Sequence, residues 1–103
     1  MSKSYEVFKG TFIGVGKVTA KPGKGDVVAQ HLSAIKASAT SDAEPGCLGY
    51  HVVRFEDEFI VFEKYSAPSA LKPGYVSTEP AKALMAAQAE IVEEYKMQFY
   101  EEL

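Results

Sequence analysis

The 103-residue chain has no tryptophan, one cysteine and two histidines. With Cys47 alone, an intrachain disulfide and a cysteine-based zinc site are both excluded. Lysine and arginine never cluster beyond two in a short window, and the net charge is −3. The basic stripe that a phosphate backbone requires is missing, so nucleic acid is not an expected partner. Apolar runs stay under ten residues, too short for a membrane-spanning helix. The segment Met1-Ser2-Lys3-Ser4-Tyr5 carries no apolar leader, so the cytoplasm is the expected compartment.

What is present is the balance of an ordinary globular protein, 47 % apolar and 24 % charged. The length predicts one domain over residues 1–103. A chain this short buries only about 60–70 % of its unfolded surface, so it gains by burying more against a partner. Acid is concentrated late: residues 55–103 hold ten Asp/Glu against four Lys/Arg. Glu56-Asp57-Glu58 reads as a hairpin tip, and Glu90, Glu93, Glu94, Glu101 and Glu102 as solvent-facing positions rather than metal ligands.

Phe12 to Ala20 reads as a strand closed by the turn Lys21-Pro22-Gly23-Lys24-Gly25. Asp26 is the expected cap of a helix running to Thr40, with Val28, Leu32, Ile35 and Ala39 forming one apolar stripe. Cys47 to Phe55 and Glu58 to Tyr65 read as a hairpin with a short acidic tip. Pro68, Pro73 and Gly74 leave space only for a helical turn around Ser69–Lys72. A second helix starts near Thr78, with Pro80 in its first turn. Its apolar face is expected to run through Ala81, Leu84, Met85, Gln88, Ile91, Val92 and Tyr95, and a last strand to span Lys96 to Glu101.

The order β-α-β-β-α-β is the split βαβ, or ferredoxin-like, motif of the α+β class. It predicts a four-stranded antiparallel sheet with both helices on one face. The opposite face would be bare in a monomer, and pairing two such faces gives a closed barrel. A homodimer, a dimeric α/β barrel, is therefore expected.

Four segments carry a family resemblance: Lys21-Pro22-Gly23-Lys24, Glu44-Pro45-Gly46-Cys47-Leu48-Gly49-Tyr50, Phe62-Glu63-Lys64-Tyr65, and Ala70-Leu71 followed by Ser77. Together they resemble the antibiotic biosynthesis monooxygenase family, whose members are dimeric α/β barrels. The resemblance implies cofactor-independent oxidation of electron-rich aromatics, such as anthrones and quinols, in a pocket between sheet and helices. The chain departs from the family at two points: Gly74 stands where the family commonly has His, and Pro80 where it has Phe. Haem-degrading relatives need an Asn, a Trp and an axial His at positions matching Gly16, Gly74 and Leu84, so haem degradation is not expected.

Direct attack of oxygen on a phenol or anthrone needs no metal if a base first makes the electron-rich anion. Histidine titrates near neutrality before any tuning, and only His31 and His51 exist. His51, inside the second strand, is the expected proton acceptor; His31, flanking the apolar stripe of the first helix, is an expected substrate contact. No third ligand stands at metal spacing beside them. Tyr50, Tyr65 and Tyr75 combine flat apolar surface with a hydroxyl, which suits a planar polyphenol, and Gln88 can bind a ligand carbonyl. Glu63 is expected to be partly buried and paired with Arg54. Cys47 has no neighbouring cation to activate it. Gly14 and Gly16 mark places where a helix or a ligand is expected to approach the strand closely.

The expected function is thus a small cofactor-free monooxygenase, a homodimer taking an aromatic polyketide, anthrone or quinol-type substrate and molecular oxygen. The alternatives keep the fold without oxygen chemistry, as a cyclase, isomerase or decarboxylase, or make the protein a non-enzymatic binding or stress-response dimer.

Overall fold

The computed structural model describes residues 7–71 and 75–103. Four strands, β1 (Phe12–Ala20), β2 (Cys47–Phe55), β3 (Glu58–Tyr65) and β4 (Val92–Glu101), form one sheet in the order β2-β3-β1-β4. Every neighbouring pair is antiparallel. Two helices, α1 (Gly25–Ala39) and α2 (Glu79–Ile91), complete the expected ferredoxin-like order. The helical turn expected at Ser69–Lys72 is present over residues 68–71; Lys72, Pro73 and Gly74 lie outside the described residues.

Burial along β1 alternates strictly, with Phe12, Gly14, Gly16, Val18 and Ala20 inward, as period-two side-chain geometry requires. The α1 stripe Val28, Leu32, Ile35 and Ala39 is wholly buried against Val18, Ala20, Tyr50, Phe59 and Val61. Burial of each large aliphatic side chain stabilises by roughly 1.5–3 kcal/mol, so this stripe holds the helix down. A smaller cluster of Phe12, Tyr65 and Leu71 closes the other end.

The helix ends differ from expectation in two places. Asp26 does not cap α1: the cap position is Lys24, without a side-chain hydrogen bond, and Asp26 sits in the first turn. Its carboxylate meets the Arg54 guanidinium at 3.0 Å but is almost fully solvated, so the pair contributes about 1 kcal/mol at most. Gly25, the first residue of α1, lies against the hairpin tip, where a β-carbon would stand 2.5 Å from Asp57 Oδ1. In that tip Glu56 takes the left-handed region at φ 54°, which the tight reversal demands.

At the other helix Thr78 does cap, its Oγ1 accepting from Ala81 N–H at 3.4 Å, an interaction worth about 1 kcal/mol. The last strand, however, begins at Val92, directly after Ile91, so Val92 and Tyr95 belong to β4 and not to the helix face. Lys21 explains the sharp junction. Its backbone N–H donates to Ile91 C=O at 2.9 Å and its ammonium to Ala89 C=O at 2.7 Å. A cation on the last carbonyls satisfies the helix C-terminus and lets the chain turn straight into the sheet.

Candidate active site

Between the sheet and the helices lies a cavity of about 300 Å³. Strand alternation supplies its floor: Gly16 and Val18 from β1, Val61 and Glu63 from β3, and Tyr95, Met97 and Phe99 from β4. Gly14 pairs with Phe99 and Gly16 with Met97. A β-carbon at position 14 would stand 3.1 Å from the Phe99 ring, and one at 16 would stand 3.3 Å from Met97 Sδ. The two glycines therefore let large β4 side chains lie across β1; the close approach comes from a neighbouring strand, not from the helix or ligand expected. Leu32 of α1 and Leu84, Met85 and Gln88 of α2 form the roof. Among the described lining residues no side chain is cationic; the polar ones are Tyr50, Glu63, Tyr75, Gln88 and Tyr95.

Glu63 is 1 % exposed. Burial pushes its carboxyl up to about 7, with the nearby Glu44 adding to the rise and a hydrogen bond from Tyr65 opposing it. The Tyr65 hydroxyl donates to Glu63 Oε1 at 3.1 Å. Arg54 is not its partner, contrary to expectation. The register sets Tyr50 opposite Glu63 and Arg54 opposite Phe59, four residues further along β2. Arg54 accordingly lies 5.2 Å over the Phe59 ring and donates from Nε to Glu56 C=O at 2.7 Å.

Tyr50 and Tyr75 form an aromatic wall, their ring centroids 6.4 Å apart and their planes 24° from parallel. Burial holds both phenols above their ordinary acidity range. Tyr65 meets Tyr75 edge-on at 6.3 Å. It is fully buried beside Phe12 and is not among the lining residues, so it acts on the cavity through Glu63 rather than by touching its contents.

Of the residues singled out from sequence, Tyr50, Tyr75 and Gln88 come together at the cavity. His51 does not. It is exposed on the outer face of the sheet, 6.4 Å from the Phe62 ring, because adjacent strand residues point to opposite faces and Tyr50 takes the inner one. His31 is half-buried on α1 but does not line the cavity, where that helix contributes Leu32. Cys47 is half-buried, its thiol donating to Gly49 C=O at 3.5 Å, and burial pushes it up, away from thiolate chemistry. Glu63, expected in an ion pair with Arg54, instead lines the cavity; the sequence signal for this is its inward position between Val61 and Tyr65. Among the described residues no group of three or more His, Cys, Asp or Glu stands together as metal ligands. No helix among them is long and apolar enough to cross a membrane.

A protein-family model described as antibiotic biosynthesis monooxygenase matches residues 11–87, most of the chain. No curated protein matches. Among solved structures, a Pseudomonas aeruginosa protein is similar at 21 % identity and a TM-score of 0.82, over 92 % of this chain and 96 % of its own. A Caulobacter crescentus protein, provisionally named an antibiotic biosynthesis monooxygenase, is similar at 25 % identity and 0.81, over 93 % and 92 %. A Mycobacterium tuberculosis protein shares the fold at 18 % identity and 0.79, over 90 % and 95 %.

Proposed function

The chain belongs to the antibiotic biosynthesis monooxygenase family, and on that premise we propose that it is a cofactor-independent monooxygenase of planar, electron-rich aromatics, working as a homodimer. The observation that carries this reading is the cavity of about 300 Å³, apolar on most sides and edged by phenols, a carboxyl and an amide. That volume is at the small end of the range for ligand sites and fits a fused-ring compound of anthrone size. The Tyr75 ring offers a stacking surface, and the Gln88 amide can donate to a ring carbonyl. The apolar walls favour dioxygen over water and shield reactive intermediates.

The reaction balances without a further oxidant. Loss of a proton makes the substrate an electron-rich anion. The anion gives one electron to dioxygen, and the radical pair couples to form a carbon–oxygen bond. The peroxide then loses water as the second hydrogen leaves that carbon, so CH2 and O2 become C=O and H2O. The protein's part is to hold the ring, move the proton and exclude bulk water. Support for the homodimer comes from the outer sheet face, where Val53, Phe55, Ile60 and Phe62 are exposed together.

Product formation from an anthrone, followed with and without air in chelator-treated buffer, tests the reading. Turnover in air and none under argon is expected. Turnover that persists under argon would assign the cavity to a cyclase, isomerase or decarboxylase instead.

A further inference from the structure

Buried carboxylates in proteins are ordinarily paired with a cation or fully satisfied by donors. Glu63 departs from that pattern within the described residues. It lines the cavity from the centre of β3, receives one donor, the Tyr65 hydroxyl at 3.1 Å, and has no cationic side chain among the lining residues. The titratable groups around it are Tyr65 on its own strand, Tyr50 and Cys47 on β2, Tyr75 before α2, Tyr95 on β4 and Glu44 in the α1–β2 loop. Burial holds Tyr50, Tyr65 and Tyr75 in their neutral phenol form, the half-exposed Tyr95 is shifted in the same direction, and a neutral phenol does not accept the first proton.

We propose that Glu63 is the proton acceptor of the cavity, taking the acidic proton of the substrate, from the methylene of a keto form such as anthrone or from the O–H of its enol, and that Tyr65 is its positioning residue. The proposal rests on the oxidative reading above and deepens it. A C–H bond of the anthrone methylene, or the O–H bond of its enol form, breaks, its electron pair delocalises onto the aromatic oxygen, and the proton forms an O–H bond on the Glu63 oxygen that Tyr65 does not hold. The same proton is then returned to the peroxide, so the carboxylate is restored before water leaves. A carboxyl whose value lies near 7 is suited to both halves, because it is ionised in part at neutral pH and is a far stronger base than an ordinary glutamate. Tyr65, by bonding the charged form, keeps that value from rising further.

The test uses Glu63→Gln, which retains an oxygen for Tyr65 to bond, with anthrone as the probe. At pH 7 the variant is expected to lose roughly 100-fold in kcat with KM changed little, general-base removal being of that size. The loss should close as pH rises through the probe's own ionisation, since a pre-formed anion needs no acceptor. In Tyr65→Phe the acidic limb of the profile should move to higher pH. A Glu63→Gln enzyme as fast as wild type at pH 7, or equally impaired at every pH, overturns the proposal. If the wild-type protein oxidises no anthrone, the oxidative reading fails on its own. The acceptor is then judged by carbon-13 titration of the glutamate carboxyls. One resonance titrating near neutrality and displaced in Tyr65→Phe supports it; every carboxyl titrating below about 5 overturns it.

Discussion

A carboxyl that folds into an apolar wall is a weaker acid there than in the unfolded chain, and Glu63 therefore ties stability to pH. Its value rises from 4.5 to about 7 on folding, so the folded state holds the proton more tightly. The stability linked to that proton is complete below about 4.5 and is lost as pH rises through about 7. Glu63→Gln, neutral at every pH, should remove this decline. Denaturant midpoints measured between pH 5 and 8 check it: the wild type should fall relative to the variant, and parallel curves would contradict the account. At this scale the sequence was only partly legible. Alternation identified which residues share a face, and Tyr50, Tyr75 and Gln88 do meet. It did not say which face the helices cover, so His51, adjacent to Tyr50, was expected in a cavity that its strand geometry turns it away from. Nor did it give the register, and that alone separates Arg54 from Glu63 by four positions.

The elements were better marked than their ends. The β2–β3 hairpin has the expected bounds, since two acidic tip residues between apolar runs leave little freedom. The Thr78 hydroxyl and Pro80 start α2 as the pattern implied. The other end of α2 was hidden because its apolar spacing continues through Val92 and Tyr95, which β4 uses for its own inward face. What ends the helix is Lys21, 68 residues away from Ala89 in sequence, and a long-range bond of this kind leaves no local signal. That junction also places Tyr95 opposite Val18 and sets Met97 and Phe99 over the glycines of β1, so the cavity floor depends on it.

For the whole molecule, the helices cover one face of the sheet and leave the other to solvent. Across that open face run Val53 and Phe55 of β2 and Ile60 and Phe62 of β3, with Phe55 76 % exposed. The charges beside them are already matched, Lys17 with Glu58 at 3.6 Å and Lys64 with Glu102 at 2.9 Å. A second copy can therefore be laid across this surface without an unpaired lysine from either ion pair. Under the proposed homodimer, Phe62→Glu buries like charges face to face and should halve the mass seen by sedimentation while far-ultraviolet dichroism stays native. A wild-type protein that sediments as a single subunit would refute the pairing.

Whether a planar aromatic in this cavity is oxidised by dioxygen itself can be read from an isotope. Anthrone turned over by the protein under heavy-oxygen gas in ordinary water should yield a quinone carrying one heavy atom, with the other released as water. A product whose new oxygen came from the solvent, or one containing no new oxygen, would contradict the account.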